Sequence, residues 1–439
     1  MSRIAAWLAS AASVLWLATT PSRALDSAAP GREANVGPAQ QPADPEARVT
    51  DNADELRAWL GDAKGPTRIG LRPGVYTGNF VVQRPLVLRG QLGAVLDGAG
   101  QGTVLSIESD DVVVDNLIVR GSGHSQTRED AGVRAKGARV RISGVRVQDA
   151  LFGIALGPCP HCIIERCHVY GDPRAHELRG DGIKLWESSD SIVRDSVVDN
   201  MRDVVVWYSR RVALERLVVH GSRYGAHFMY AHDSSVRGSR IVDNVVGVFV
   251  MYSSRLHVEG NVLAGAHGPA GLAIGFKDSE GAHVTDNWLV ANTTGSYLDA
   301  TTPLLSAPIV FARNVFALND VALRFHVVGS GLFFTDNDFR HNAELVDVEG
   351  GGDALAVHFE HNFFSDYAGY DLDEDGRGDV AHQVKRLSGA LIDSRPMLAL
   401  FRGTAALGLL DVVANAAPVF ANRLMLSDAN PRIHPRRPL

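Results

Sequence analysis

VRDSVVDNMRDVVVWYSRRVALERLVVHGSRYGAHFMYAHDSSVRGSRI, residues 193–241, carries one short pattern three times. Apolar residues alternate with polar ones in VRDSVV (193–198), LERLVV (214–219) and VRGSRI (236–241), at steps of 21 and 22 residues. Upstream the same hexad recurs as VDNLIV (114–119), ISGVRV (142–147) and IERCHV (164–169). Downstream it recurs as VEGNVL (258–263), VTDNWL (284–289), FARNVF (311–316), FTDNDF (334–339) and FEHNFF (359–364). A repeat in the low twenties with occasional loop insertions is the mark of a solenoid. Strand-like alternation without helical periodicity selects a parallel β-helix over helical repeats. The fold expected is therefore all-β, a solenoid of about ten or more coils.

A single coil cannot bury its apolar face, but stacked coils share one core. Coils lie about 4.8 Å apart, so equivalent residues form columns along the axis. Asn200, Asn244, Asn292, Asn319 and Asn342 follow the repeat at nearly one phase and are expected to form a ladder of stacked amides. The fragments LWES, VWYS, FMYA and VMYS, ending at residues 188, 209, 231 and 253, set Trp186, Trp207, Met229 and Met251 at one phase too. Ile183, Leu185, Val204, Val206, Ala226, Phe228, Val248 and Val250 alternate into the core. Lys184, Trp186, Val205, Trp207, His227, Met229, Phe249 and Met251 then point outward, and Glu187, Tyr208, Tyr230 and Tyr252 follow at the turn. An exposed apolar strip four coils tall suggests a partner surface; cover by a loop or by the C-terminal segment is the other reading.

The ends depart from the repeat. Arg3, a largely apolar run from Ile4 to Ala18, Pro21 and the small-x-small site Ser22-Arg23-Ala24 have the layout of a secretory signal cleaved after Ala24. Residues 25–47 read as a flexible leader. A short helix from Asp51 to Leu60, with Leu56, Trp59 and Leu60 on one face, is expected to cap the β-helix domain, placed at 48–382. Residues 383–439 read as a C-terminal segment and tail, with two amphipathic helices split near Gly403 or Pro418. A formal charge of −7 without a long basic run argues against a nucleic-acid surface. Three cysteines are too few for a disulfide scaffold, so stability must come from the core.

The run GDGIKLWESSDSIVRDSVVDNMRDVVVWYSRRVALERLVVHGSRYGAHFMYAHDSSVRGSRIVDNVVGVFVMYSSRLHVEGN (180–261) resembles the NosD proteins. So do LRPGVYTGNF…PLVLRGQLGAVLDGAGQGTVLSI near the start and YDLDEDGRGDVAH near the end; together these span residues 65–400. The resemblance implies a right-handed β-helix in the periplasm, acting with an ABC-type permease and ATPase and with nitrous oxide reductase, whose copper–sulfide cluster the family helps to build. A copper chaperone joins the implied partners. The strip residues Trp186, Trp207, Tyr208, Tyr230, Phe249 and Tyr252 are the expected partner contacts.

Four groups could carry chemistry. His227, Met229 and Met251 offer imidazole and thioether donors suited to transient copper, against the plainer reading of a metal-free apolar interface. In CPHCIIERCH, Cys159, Cys162 and Cys167 resemble a soft-metal cluster, but a Cys159–Cys162 disulfide or inert thiols fit the spacing better. DLDEDGRGD places Asp371, Asp373, Asp375 and Asp379 at positions 1, 3, 5 and 9 of a calcium loop with Gly376 at 6. His382 stands at position 12, where the usual bidentate glutamate is missing. An enzyme reading, a polyuronate lyase, hydrolase or epimerase, would need a carboxylate pair or a base on the solenoid face. Asp181 aligns with Arg202, Tyr224 and Val246, and Asp203 with Gly182, Gly225 and Gly247, so no acid pair forms; His176 and Glu177 in the 171–181 insertion are the remaining acid–base candidates.

Overall fold

The computed structural model describes residues 46–171, 178–299, 304–386, 391, 395–401, 406, 409–410 and 423–437. The signal and leader assigned to residues 1–45 lie outside that range. Within it, three parallel sheets of 14, 13 and 12 strands run the length of a right-handed solenoid of about 13 turns. Each coil gives one short strand to each sheet, and each strand pairs with its equivalents one coil before and one after. The hexads supply the strands of two sheets with the turn between them: Val193 pairs with Leu214 in one, Val198 with Val219 in the other. Within each hexad the first and last residues enter the core; Val193, Val198, Leu214 and Val219 are fully buried.

Turns are built from single left-handed residues. Asn200, Gly221 and Asp243 share one such position, with φ of 54°, 65° and 52°. This corrects one expectation. Asn200 lies one residue before the amide ladder, whose register Met201 and Ser222 occupy in these coils. The ladder itself runs through Asn292, Asn319 and Asn342; Asn244 holds the same register two coils earlier, with Ala266 on the rung between. Asn292 Nδ2 donates to Asn319 Oδ1 at 3.0 Å, and Asn319 Nδ2 to Asn342 Oδ1 at 2.9 Å.

A second ladder, not anticipated, occupies the middle of the later hexads. Asn261, Asn287, Asn314, Asn337 and Asn362 are fully buried. Asn287 Nδ2 donates to Val258 O at 2.8 Å in the preceding coil and to Asn314 Oδ1 at 2.9 Å in the next. Every rung thus ties three coils together and satisfies amide groups that would otherwise be buried unpaired.

Both ends are capped. The helix Ala53–Gly61 starts at Asn52, whose Oδ1 accepts from the backbone N–H of Asp54 and Glu55 at 2.8 and 3.0 Å. Leu56 and Leu60 seal the first coils. At the other end the expected helical segment is bracketed by strands: His382–Arg386 pairs antiparallel with Arg423–Asp428. Met425 and Leu426 are buried over the last coils, which shields the final sheet edges. The two predicted amphipathic helices fall mostly outside the described residues; Pro396–Phe401 forms a 3₁₀ turn. Beyond Asp428 the tail runs back over the solenoid. Arg432 Nη2 donates to Asp338 at 2.6 Å, and Arg437 Nη2 to Asp286 at 2.8 Å.

Candidate functional site

The strip lies on the 12-stranded sheet. Trp186 pairs with Trp207, Trp207 with Met229, Met229 with Met251, and Met251 with Lys277. The preceding residues Leu185, Val206, Phe228 and Val250 are fully buried, so alternation turns the column outward. Trp186 is 39% exposed and lies over Gly157, where a Cβ would come within 3.2 Å of the indole. The Nε1–H of Trp207 has no acceptor. Lys277, Asp278 and Asp299 end the apolar column with charge.

Beside this column stands an aromatic stack. Tyr208, Tyr230 and Tyr252 each occupy a left-handed turn position, with φ of 49°, 49° and 51°. Their rings stack at 5.0 Å centroid spacing, and Trp207 stacks on Tyr208 at 5.6 Å. The next residue explains the turn. Ser209 is buried, donates Oγ–H to Trp207 O at 3.0 Å and accepts from Ser188 N–H at 2.9 Å. Ser253 repeats this, donating to Met251 O at 2.7 Å and accepting from Ala231 N–H at 2.9 Å. At Tyr208 and Tyr252 a buried hydroxyl thus satisfies the turn's backbone; Ala231 follows Tyr230, whose turn has the same φ without one.

The neighbouring outward column differs from expectation. Val205 and His227 face away from the core yet are only 5% and 8% exposed. A one-residue bulge between Asp203 and Val205 places Asp203 opposite Tyr224 rather than Gly225. Tyr224 then meets His227 edge-on at 4.8 Å and Phe249 at 5.4 Å, while Arg223 covers the Tyr224 ring at 4.5 Å. Phe249 is held down over Gly275, where a Cβ would sit 2.6 Å from its ring. His227 is therefore roofed over. Its Nδ1 stands 3.5 Å from Asp203 Oδ2, and neither ring nitrogen completes a hydrogen bond. Met229 and Met251 remain half-buried on adjacent strands, two residues along from this covered imidazole. Soft donors and an unsatisfied imidazole thus share one face, a donor set whose chemistry suits Cu(I).

Asp181 and Asp203 are buried, each held by an arginine from the next coil. Arg202 Nε donates to Asp181 at 2.9 Å, and Arg223 grips both oxygens of Asp203. Burial pushes the Asp181 carboxyl up despite Arg202. Burial also opposes charge on Asp203, but His227 and Arg223 outweigh it and hold this carboxylate below its ordinary range. His176 and Glu177 lie outside the described residues.

Cys159 and Cys162 form a disulfide, and Cys167 is a buried thiol pushed up to about 12 by desolvation. With two of the three sulfurs bonded to each other, the described residues there offer no thiolate cluster for a soft metal. Ligand oxygens of Asp371, Asp373 and Asp375 gather within 4.8 Å of one another. Asp379 instead accepts from Leu372 N–H at 2.6 Å. His382 is buried and stacks on Phe364 at 4.1 Å, so position 12 of the loop lends no ligand.

Three stacked parallel sheets, polar ladders inside and an aromatic–thioether column outside define a β-helix protein. The chain belongs to the NosD family. That family, described as periplasmic copper-binding protein (NosD), matches residues 168–369, a stretch that includes the whole strip. A relative from Pseudomonas aeruginosa, named "Probable ABC transporter binding protein NosD", is 30% identical over 410 residues, covering 81% of this chain and 86% of the relative. One of the same name from Stutzerimonas stutzeri is 32% identical over 142 residues, 32% of this chain and 33% of the relative. Among solved structures, the A-module of the Azotobacter vinelandii mannuronan C-5 epimerase AlgE6 has 12% identity and a TM-score of 0.46 across 74% of this chain and 97% of its own.

Proposed function

We propose that this chain is a periplasmic accessory protein for copper-site assembly in nitrous oxide reductase, serving as a binding platform beside an ABC-type permease and ATPase. Membership of a family described as periplasmic and copper-binding, with relatives named as ABC transporter binding proteins, supports this reading. The observation that carries it is the strip: Trp186, Trp207, Met229 and Met251 in register, flanked by stacked Tyr208, Tyr230 and Tyr252. In a water-exposed position such a strip serves contact with a partner rather than the core. The partner is a copper protein of the pathway, the reductase or a chaperone. Copper is cargo in this account, met by Met229, Met251 and, once the Tyr224–Phe249 roof lifts, His227.

Contact with the permease is assigned to the arm between the two cap strands, where Met397, Phe401, Leu409 and Leu410 are exposed. Among the described residues no helix is long and apolar enough to cross a membrane. Membrane association through the transporter is part of the same proposal. The acidic loop is assigned to a structural calcium ion.

The test is co-purification with the permease, ATPase and reductase, followed by metal and sulfur analysis. Polar substitution of Met397, Phe401, Leu409 and Leu410 should release the permease and leave the fold intact. Deletion is a poorer test, because residues 423–437 form part of the cap. Retained permease binding by the substituted chain would count against the arm.

A further inference from the structure

On the 14-stranded sheet, remote in register from the strip, two histidines occupy equivalent places in consecutive coils. His257 pairs with His283 across adjacent strands, and their rings stack at 5.3 Å with planes 9° apart. Both are exposed, while their neighbours Val258 and Val284 are fully buried, so the pair stands on the outer wall. Glu259 faces the same way two residues along and receives only a 3.3 Å contact from Arg237 Nε.

Several surface imidazoles are oriented by a side chain of the same or the next coil, while others, such as His124 and His267, stand alone; only His257 and His283 among the described histidines stack on one another. His168 meets Asp199, His232 meets Ser254, His326 meets Glu349 and His358 meets Glu360, all within 3.3 Å. His257 and His283 have each other, and among the described residues no hydrogen bond orients either ring. Coil spacing forces this juxtaposition, since equivalent side chains of neighbouring parallel strands sit about 4.8 Å apart. Two protonated rings there would repel. Desolvation, His283 and Arg237 depress the His257 pKa against the opposing charge of Glu259. Neutral imidazole is the metal-binding form.

We propose that His257 and His283 form a bis-imidazole site for a borderline divalent metal ion, Cu(II) ahead of Zn(II), with Glu259 as the neighbouring anion. Binding requires the stacked rings to rotate about χ2 so that one nitrogen of each faces a common ion. Paired imidazoles with a nearby carboxylate suit such ions, and the order of divalent affinities favours copper over zinc. The site lies on a different sheet from Met229 and Met251 and does not rest on the docking role of the strip.

The experiment titrates the full mature chain with Cu(II) alone, then with Zn(II) alone. Stoichiometry and affinity are compared with those of His257→Ala, His283→Ala and the double variant. Imidazole resonances are followed for broadening by Cu(II). We expect one site lost in the double variant, affinity lowered about tenfold or more by either single change, and broadening centred on these two rings. Both positions are on the outer wall, so the variants should keep wild-type melting temperatures. Met229→Leu plus Met251→Leu should leave this site intact. Wild-type stoichiometry and affinity in the double variant, or broadening centred on other histidines, would overturn the assignment.

Discussion

Tyr208 stacks on Tyr230 with ring centroids 5.0 Å apart and planes within 5°, although both residues hold the left-handed backbone that bulky side chains avoid. That backbone costs roughly 1–2 kcal/mol per residue, and each aromatic contact, of which Tyr230 makes two, returns about 0.5–1.5 kcal/mol. The stack therefore adds little net stability, which is a reason to assign it a role outside the fold. Tyr230→Gly should leave the unfolding free energy within about 1 kcal/mol of wild type, because glycine accepts the turn without strain. Tyr230→Val should destabilise by about 2 kcal/mol or more, since it keeps the strain and loses the stack. Urea unfolding of the two variants checks this.

Asp428 takes the place of a sixth asparagine at the end of the buried ladder. Its Oδ2 accepts from the Asn362 backbone N–H and from Asn362 Nδ2, both at 2.9 Å. The fully buried Asn362 is thereby joined to the C-terminal strand 66 residues later. Asp428→Ala leaves two buried donors unpaired and should cost about 2–4 kcal/mol. Asp428→Asn keeps the acceptor and should cost less than half as much. Hydrogen exchange at Asn362 and thermal melts would tell these outcomes apart.

Glu165 is fully buried among Arg141, Arg166 and Arg194. Burial disfavours its charge, but hydrogen bonds from Arg194 and Arg141 and the charge of Arg166 outweigh that and bring its pKa to about 2 from an ordinary 4.5. A carboxylate depressed by folding stabilises the protein fully above its ordinary range, and the contribution fades as pH falls toward the folded value. Glu165→Gln should therefore cost about 2–3 kcal/mol at neutral pH. The gap from wild type should close between roughly pH 4.5 and pH 2. A constant gap across that range would contradict the assignment.

The carboxylates of Asp371, Asp373 and Asp375 crowd within 4.8 Å, a repulsion that a hard cation would relieve. With no glutamate at the twelfth place, calcium should bind only in the range of about 10⁻⁴–10⁻³ M. Millimolar calcium should raise the melting temperature of wild type, and Asp373→Ala should abolish the rise.

The solenoid was legible because alternation within a hexad and a step of 21 or 22 residues repeat many times. Register followed from the same repeat, and Trp186, Trp207, Met229 and Met251 do share one outward column. The roof over His227 was not legible. It depends on a one-residue bulge before Val205 that slides Tyr224 into line with Asp203, and counting residues cannot place a bulge. The second amide ladder is written in the sequence as the asparagine of VEGNVL, VTDNWL, FARNVF, FTDNDF and FEHNFF, one per later hexad. At Asn200 a single residue separates a ladder rung from a left-handed turn. The strand Arg423–Asp428 was hidden for a different reason, since its partner lies beyond the arm and leaves no local period.

The most direct test of the platform role measures association of the purified chain with the reductase and copper chaperone, using wild type and a variant carrying Tyr208→Gly, Tyr230→Gly and Tyr252→Gly. These changes remove the stacked rings while suiting the left-handed turns, so circular dichroism and melting should stay close to wild type. We predict that association is lost in the folded variant. Undiminished association, with the three rings gone and the solenoid intact, would contradict the claim that this face is where partners dock.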